Sequence, residues 1–364
     1  MNTRIDVIKD KLRDNTIDAL LVQTPANVYY LSGFDTDPHE RLVAVLVFVS
    51  GESVLVCPHM EVNQAEKVFH GTVIGYRDTD DPWYKLKEYL DRSSIKISGI
   101  AVESSLAWKR MQALQSILKG VSVLEADTYL NDLRLVKDDT EIERIGEAAK
   151  LADKGIQVGV ESLREGITEL EVIASIEYEL KKLGVTKLSF STTVVFGANA
   201  GDAHGKPGGQ GLKKGDAVLM DLGVVWKGYC SDITRTVFFD HASENNRKIY
   251  NIVLAAQQKA LEACKPGVPI STVDRAARDE ISKEGFAEYF PHRIGHGIGI
   301  EVHEFPSLND QNAAPLLAGM TFTVEPGIYI PEKMGVRIED DVLVTEDGCT
   351  ALTSFPKDIT IITN

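Results

Sequence analysis

The stretch AVLMDLGVVWKGYCSDITRTVFF, residues 217–239, constrains the fold more than any other. Two runs rich in β-forming residues flank Lys227 and Gly228, the pattern of an antiparallel hairpin. A turn centred between Trp226 and Lys227 sets Asp221 and Asp232 directly opposite each other on one face, with Cβ atoms roughly 5 Å apart. Two carboxylates that close repel each other unless positive charge lies between them, and a divalent cation supplies it.

The same device recurs near the C-terminus. MTFTVEPGIYI (320–330) is followed by PEKMG and then by VRIEDDVLVTE (336–346). Glu325 and Glu339 are symmetric about residue 332, so a loop over 331–335 again brings two acids face to face. Between the hairpins lies PHRIGHGIGIEVHE (291–304), with His296 among glycines and His303 seven residues on. Four carboxylates balance the charge of two divalent cations, with a neutral imidazole completing the set.

Each acid also has an ordinary reading: Asp221 as a turn residue, Asp232 as a strand-edge acid, Glu325 as a strand terminus. Their symmetric placement across two hairpins favours a site, and Glu339 inside the apolar alternation VRIEDDVLV is a costly place for an unpaired charge. The glycines around His296 permit close backbone approach. The string GHGIG is no dinucleotide loop, because it lacks the third glycine at the required offset and the acidic ribose partner.

The 364 residues suffice for two domains, and a formal charge of −15 argues against nucleic acid or an anionic membrane as partner. No signal-peptide pattern opens the chain and no run approaches 18 apolar residues. Cys57, Cys230, Cys264 and Cys349 are scattered without a CxxC, which points to reduced thiols and a cytoplasmic protein. Residues 1–131 alternate short β runs (IDALLVQ, VAVLVFVS, SVLVCP, VIGY, ISGIAVE) with helical pieces such as RIDVIKDKLRD and PWYKLKEYLDRS, an α/β domain without a phosphate loop. In it GFDTDPHERL (33–42) reads as a solvated loop in preference to a substrate path. From 132 to 364 the order is helix–helix–hairpin, twice: an α+β pseudo-duplicate with its sheets inside. The first helix starts at Asp139 or Thr140, with a Thr140–Glu143 capping box, and the second at Thr168 with Glu171, ending at Gly184.

MDLG, YCSDITRT, GHGIGIEVHE, VEPGIYI and GVRIEDDVLV, in this order and spacing, resemble the pita-bread metallopeptidases, the family of proline dipeptidases (prolidases), aminopeptidase P and methionine aminopeptidase, with creatinase as a metal-free relative. The likeness covers the second half closely and the first ~130 residues through their overall pattern. It implies a creatinase-type α/β N-terminal domain on a pita-bread catalytic domain. It also implies that Asp221, Asp232, His296, Glu325 and Glu339 bind two divalent metal ions. Asp232 and Glu339 would bridge the ions, His296 and Glu325 would hold one, and Asp221 the other. An oxygen-rich set with one imidazole suits Mn²⁺ first and Co²⁺ second; the family has no thiolate ligand where Cys230 stands.

By the same resemblance a bridging water is the nucleophile and a metal polarises the scissile carbonyl. His204 and His303 match the two non-ligand histidines that steady the carbonyl and the departing nitrogen, and Glu325 also moves a proton. Arg337, two residues from Glu339, pairs with a substrate carboxylate or holds the site together; Thr234, two residues from Asp232, supports it. Two departures stand out: Ala203 precedes His204 where relatives often have proline, and Ser307 takes the place of an arginine credited with holding the product-side carboxylate. Methionine aminopeptidase is disfavoured by the size of the N-terminal domain and creatinase by the intact ligand set. An Xaa-Pro dipeptidase acting on proline-containing dipeptides leads, with aminopeptidase P next and a non-catalytic binding module last. The family implies a homodimer.

Overall fold

A computed structural model describes residues 3–363. By contact density the chain divides into two units, Met1–Leu133 and Arg134–Asn364. In the first, α1 (Thr3–Asp14) leads into β1 (Ala19–Val22), α2 (Pro25–Ser32), β2 (Ala44–Phe48) and β3 (Val54–Pro58). Then come α3 (Val62–Val68), β4 (Thr72–Tyr76), α4 (Pro82–Arg92), β5 (Gly99–Val102), α5 (Trp108–Ile117), β6 (Ser122–Glu125) and α6 (Asp127–Leu135), which straddles the division. The six strands form one sheet in the order β4-β3-β2-β1-β5-β6. Its central strands are apolar throughout and buried on both faces, as strands covered by helices must be. The expected hairpin through GESV is the β2–β3 pair. Short α2, α3, α5 and the exposed edge strand β6 had no distinct sequence signal.

The second unit opens with α7 (Asp139–Ser162) and α8 (Glu169–Lys182), followed by β7 (Lys187–Leu188), β8 (Thr193–Phe196), β9 (Ala217–Leu222), β10 (Val224–Trp226), β11 (Tyr229–Cys230) and β12 (Ile233–Phe239). A second helix pair, α9 (Glu244–Ala263) and α10 (Ile270–Lys283), precedes β13 (Gly295–Gly297), β14 (Glu304–Leu308), β15 (Thr321–Val324), β16 (Gly327–Ile330), β17 (Met334–Arg337), β18 (Asp340–Val344), β19 (Cys349–Ala351) and β20 (Ile361–Ile362). Each helix pair has its own core. Ala152, Ile156, Val172 and Ile176 pack on Val218, Met220, Leu222 and Val237, while Val253, Ala256, Val273 and Ala277 pack on Phe322, Val324, Ile338 and Val342. The expected duplication is therefore built as two helix-on-sheet halves. With a strand period of two, Val218, Met220 and Leu222 face their helices, so Leu219 and Asp221 face the other way.

Three local expectations change. The α7 cap is Asp138, in a capping box with Glu141, two residues before the Thr140–Glu143 pair, whereas the Thr168–Glu171 box of α8 forms as expected. In the first hairpin the turn is Lys227-Gly228, both at positive φ (48° and 83°), the type I′ geometry that matches strand twist. The register is therefore Asp221↔Thr234, and Asp232 lies two residues along from the position opposite Asp221, still on the same side by period. In the second hairpin the pairs Gly327↔Arg337 and Val324↔Asp340 keep the symmetry about 332, but strand resumes at Met334, so the loop is 331–333 and not 331–335.

Candidate metal centre

Both hairpins are interrupted where the acids sit. Glu325 and Glu339 fall between the β15–β18 and β16–β17 ladders, and their amides bond elsewhere, to the Ile294 and Thr234 carbonyls. Asp232 falls between β11 and β12, and its amide donates to the Asp341 carboxylate at 2.9 Å. Broken ladders of this kind turn side chains out of the regular pleat and aim them at a site.

The aimed side chains meet. One ligand atom each from Asp232, His296 and Glu339 lies within 4.8 Å of the others, all three residues buried. His296 Nε2 is 3.7 Å from Asp232 Oδ2 and 3.5 Å from Glu325 Oε1. The five expected ligands share a cavity of about 580 Å³ with His204, His292, Arg293, His303, Tyr329 and Arg337. Cys230 is not part of it; its Sγ donates to the Ile300 carbonyl at 3.3 Å.

Supporting bonds fix the acids from behind. Thr234 Oγ1 donates to Glu339, and Thr323 Oγ1 donates to Glu325 Oε1 at 3.3 Å while accepting the His296 amide at 3.1 Å. Arg337 donates to Asp221, to Tyr329 Oη at 2.9 Å and to Thr234 Oγ1 at 2.9 Å, and lies 3.9 Å from Glu339. Of the two roles open to Arg337, holding the site together is the one these contacts support. Asp340, between Glu339 and Asp341, is tied into a separate buried network with Arg235, Lys357 and Gln257; burial alone would raise its carboxyl, but the Arg235 and Lys357 cations hold it low.

The electrostatics are those of a cation site. Burial, followed by repulsion from Glu339, Asp221, Asp341 and Glu325, pushes the Asp232 carboxyl well up. Glu339 is raised in the same way, by burial and then by Glu325 and Asp221. Burial lifts Glu325 to about 7 and raises Asp221, which Arg337 partly offsets. The buried Oδ1 atoms of Asp221 and Asp232 have no hydrogen-bond partner among the described residues. An orphaned buried carboxylate oxygen is expensive in a finished fold, and a coordinated cation removes the cost. Burial also lowers His296 to about 3, leaving the neutral imidazole that ligates metals. The residues present fit divalent cations.

His303 stacks edge-on against His296, with ring centroids 4.1 Å apart, and burial and Arg293 keep it below its ordinary pKa. Its neighbour Glu304 is tied down by Lys137 at 2.7 Å and by Arg134, which hold the buried carboxyl below its usual range. His204, exposed, reaches the same cavity from the loop after β8. Three contributors escaped sequence reasoning. His292 Nε2 lies 3.0 Å from Tyr329 Oη, and burial lowers its pKa to about 4; Asp341 props Asp232 from behind. His292 and Asp341 stood within the quoted motifs, but nothing in their spacing marked them. Ser307, the other departure, accepts a hydrogen bond from Arg293 at 3.1 Å.

Comparison with known proteins agrees with this geometry. YkvY of Bacillus subtilis (strain 168), a provisionally assigned dipeptidase, is 49% identical over 361 residues, 99% of each chain. The Xaa-Pro dipeptidase from Bacillus anthracis superposes with a TM-score of 0.92 at 32% identity, covering 99% of both chains. The X-Pro aminopeptidase from Thermotoga maritima MSB8 gives 0.88 at 33% identity, covering 95% of this chain and 98% of that one. The fold is thus the pita-bread fold of prolidases and Xaa-Pro aminopeptidases behind an α/β N-terminal domain. Residues 4–136 match the creatinase/prolidase N-terminal domain and residues 143–346 match metallopeptidase family M24, and the chain belongs to that family.

Proposed function

We propose that the protein hydrolyses Xaa-Pro peptide bonds as an Xaa-Pro dipeptidase, with two divalent cations held by Asp221, Asp232, His296, Glu325 and Glu339. The observation that carries this reading is the convergence of those five side chains in one cavity with His303 and His204 at its wall. Asp232, His296 and Glu339, whose ligand atoms lie within 4.8 Å of one another, would hold the cations together with Glu325 and Asp221. Mn²⁺ suits the donor set first and Co²⁺ second. When bound, the cations polarise the scissile carbonyl and acidify the attacking water.

The remaining work falls to the chain. His303 and His204 donate to the carbonyl oxygen as it gains charge. Glu325 takes a proton from the attacking water and passes it to the proline nitrogen as the C–N bond breaks. An Xaa-Pro bond has no N–H, so a dedicated site has only the carbonyl and the flanking charges to grip. Arg337 is engaged with Asp221, Tyr329 and Thr234. That leaves Arg293, beside Ser307 in the same cavity, as the positive charge available to the substrate carboxylate.

An aminopeptidase P-like activity is the second reading. It is favoured by an open cavity of about 1200 Å³ that shares Ala203, His204, Pro291 and Tyr329 with the metal cavity and has room for longer peptides. The Bacillus relatives named as dipeptidases weigh against it. A length series decides: kcat/KM highest for Xaa-Pro and falling steeply for Xaa-Pro-Yaa supports the dipeptidase, whereas equal cleavage of tripeptides and longer chains reverses the order. A binding module would show no metal-dependent cleavage at all. The same reading includes a homodimer, checked by sedimentation, and a cytoplasmic location, consistent with four free cysteines and with no described helix long and apolar enough to cross a membrane.

A further inference from the structure

Glu169 is the first residue of α8 and has no exposed surface, yet it has no salt-bridge partner among the described residues. Its carboxylate is satisfied by hydrogen bonds alone. Oε1 accepts from the Phe196 amide at 2.8 Å and from Asn199 Nδ2 at 2.9 Å, and Oε2 accepts from the Gly208 amide at 2.7 Å. Asn199 Nδ2 also donates to the Lys206 carbonyl at 3.0 Å. Phe196 ends β8 and Gly208 lies twelve residues on, so one buried anion grips both ends of the loop. At the crest of that loop is His204, whose amide donates to Asp202 Oδ1 at 2.9 Å and whose side chain lines the metal cavity. An ion buried this deeply is costly unless every lone pair finds a donor, and here the donors are the loop itself.

We infer that Glu169 is a positioning residue for catalysis: by clamping the 196–208 loop at both ends it fixes where His204 meets the substrate carbonyl. The inference rests on the proposed role of His204 in Xaa-Pro cleavage. Glutamine at 169 keeps the shape but offers one acceptor oxygen in place of two, so one end of the loop loses its anchor. An imidazole displaced by about an ångström costs rate far more than it costs binding.

The test is a double-mutant cycle on the metal-loaded enzyme with an Xaa-Pro dipeptide, using Glu169→Gln, His204→Ala and the combination. The expected result is a kcat lowered about tenfold or more in Glu169→Gln with KM nearly unchanged, metal content normal, and no further loss when Glu169→Gln is added to His204→Ala. Amide hydrogen exchange should rise in 196–208 and stay constant in 217–239. A merely structural role would lower the melting temperature but leave the kcat of folded enzyme unchanged, and that outcome overturns the inference, as do additive effects in the cycle. If His204→Ala alone is fully active, the inference falls while Xaa-Pro hydrolysis by the unaltered enzyme stands; if the unaltered enzyme cleaves no Xaa-Pro dipeptide, the functional reading itself falls. Should Glu169→Gln fail to fold, Asn199→Ala removes the bonds from Asn199 to both Glu169 oxygens and to the Lys206 carbonyl while leaving the carboxylate in place. It should lower kcat in the same direction, and an unchanged kcat there counts against the clamp.

Discussion

Asp232 combines an amide held by Asp341, a buried Oδ1 without a partner among the described residues, and a carboxyl pushed up by burial and four neighbouring acids. Asp232→Asn or Glu339→Gln should therefore lose bound metal and activity together, which metal analysis beside kcat will check; full activity at normal metal content contradicts the assignment. Thr234→Val removes the bond to Glu339 and the one accepted from Arg337, and should weaken metal binding roughly 10- to 100-fold. The raised carboxyls also set a pH dependence. Glu325 titrates near 7 in the fold against an ordinary 4.5, and Asp232 and Glu339 move the same way. A raised folded pKa stabilises below the unfolded value and the gain is lost as pH rises through the folded one. His292, His296 and His303, all lowered from 6.5, act oppositely, but their contributions are complete above 6.5. Above that pH the raised carboxyls dominate, so the melting temperature of metal-free protein should fall from pH 6.5 to ~8. A rise over that interval would contradict the account. The convergence of the five expected ligands on one cavity was legible because motif and symmetry marked them. Asp341, His292 and Tyr329 were not, because their roles arise from contacts between segments far apart in the chain.

Among the elements, β13 is placed tightly. A Cβ at Gly295 would lie 1.9 Å from the Thr323 carbonyl oxygen, so the strand carrying His296 approaches β15 only because that residue is glycine. Gly295→Ala should cost about 1–3 kcal/mol or more and reduce metal content as His296 shifts; calorimetry with metal analysis will show whether it does. Thr168→Ala, which removes the α8 cap, should cost about 1 kcal/mol in a denaturant melt. Helices and hairpins were readable from periodicity and caps, but their fine placement was less so. Asp138 and Thr140 each have a glutamate three residues on, and only packing chose Asp138. The first hairpin's register turned on which two residues adopt positive φ, and the Lys227-Gly228 turn moved Asp221 opposite Thr234. The motif survived this because a two-residue shift keeps every side chain on its face.

For the molecule as a whole, the repeated helix–helix–hairpin order was visible because each repeat carries its own caps and apolar periodicity, and each proves to have its own core. What order alone does not encode is how two hairpins from different repeats aim four acids and an imidazole at one point; that depends on ladders broken at Asp232, Glu325 and Glu339. Cations bound at that point should stabilise the whole catalytic unit, and chelation should lower its melting temperature. The most direct measurement strips the protein of metal and titrates Mn²⁺ back while following both binding stoichiometry and hydrolysis of an Xaa-Pro dipeptide. The account predicts two ions per chain, no hydrolysis by stripped protein, and activity returning as the sites fill. Hydrolysis that persists after chelation, or unaltered binding of both ions by Asp232→Asn, would contradict it.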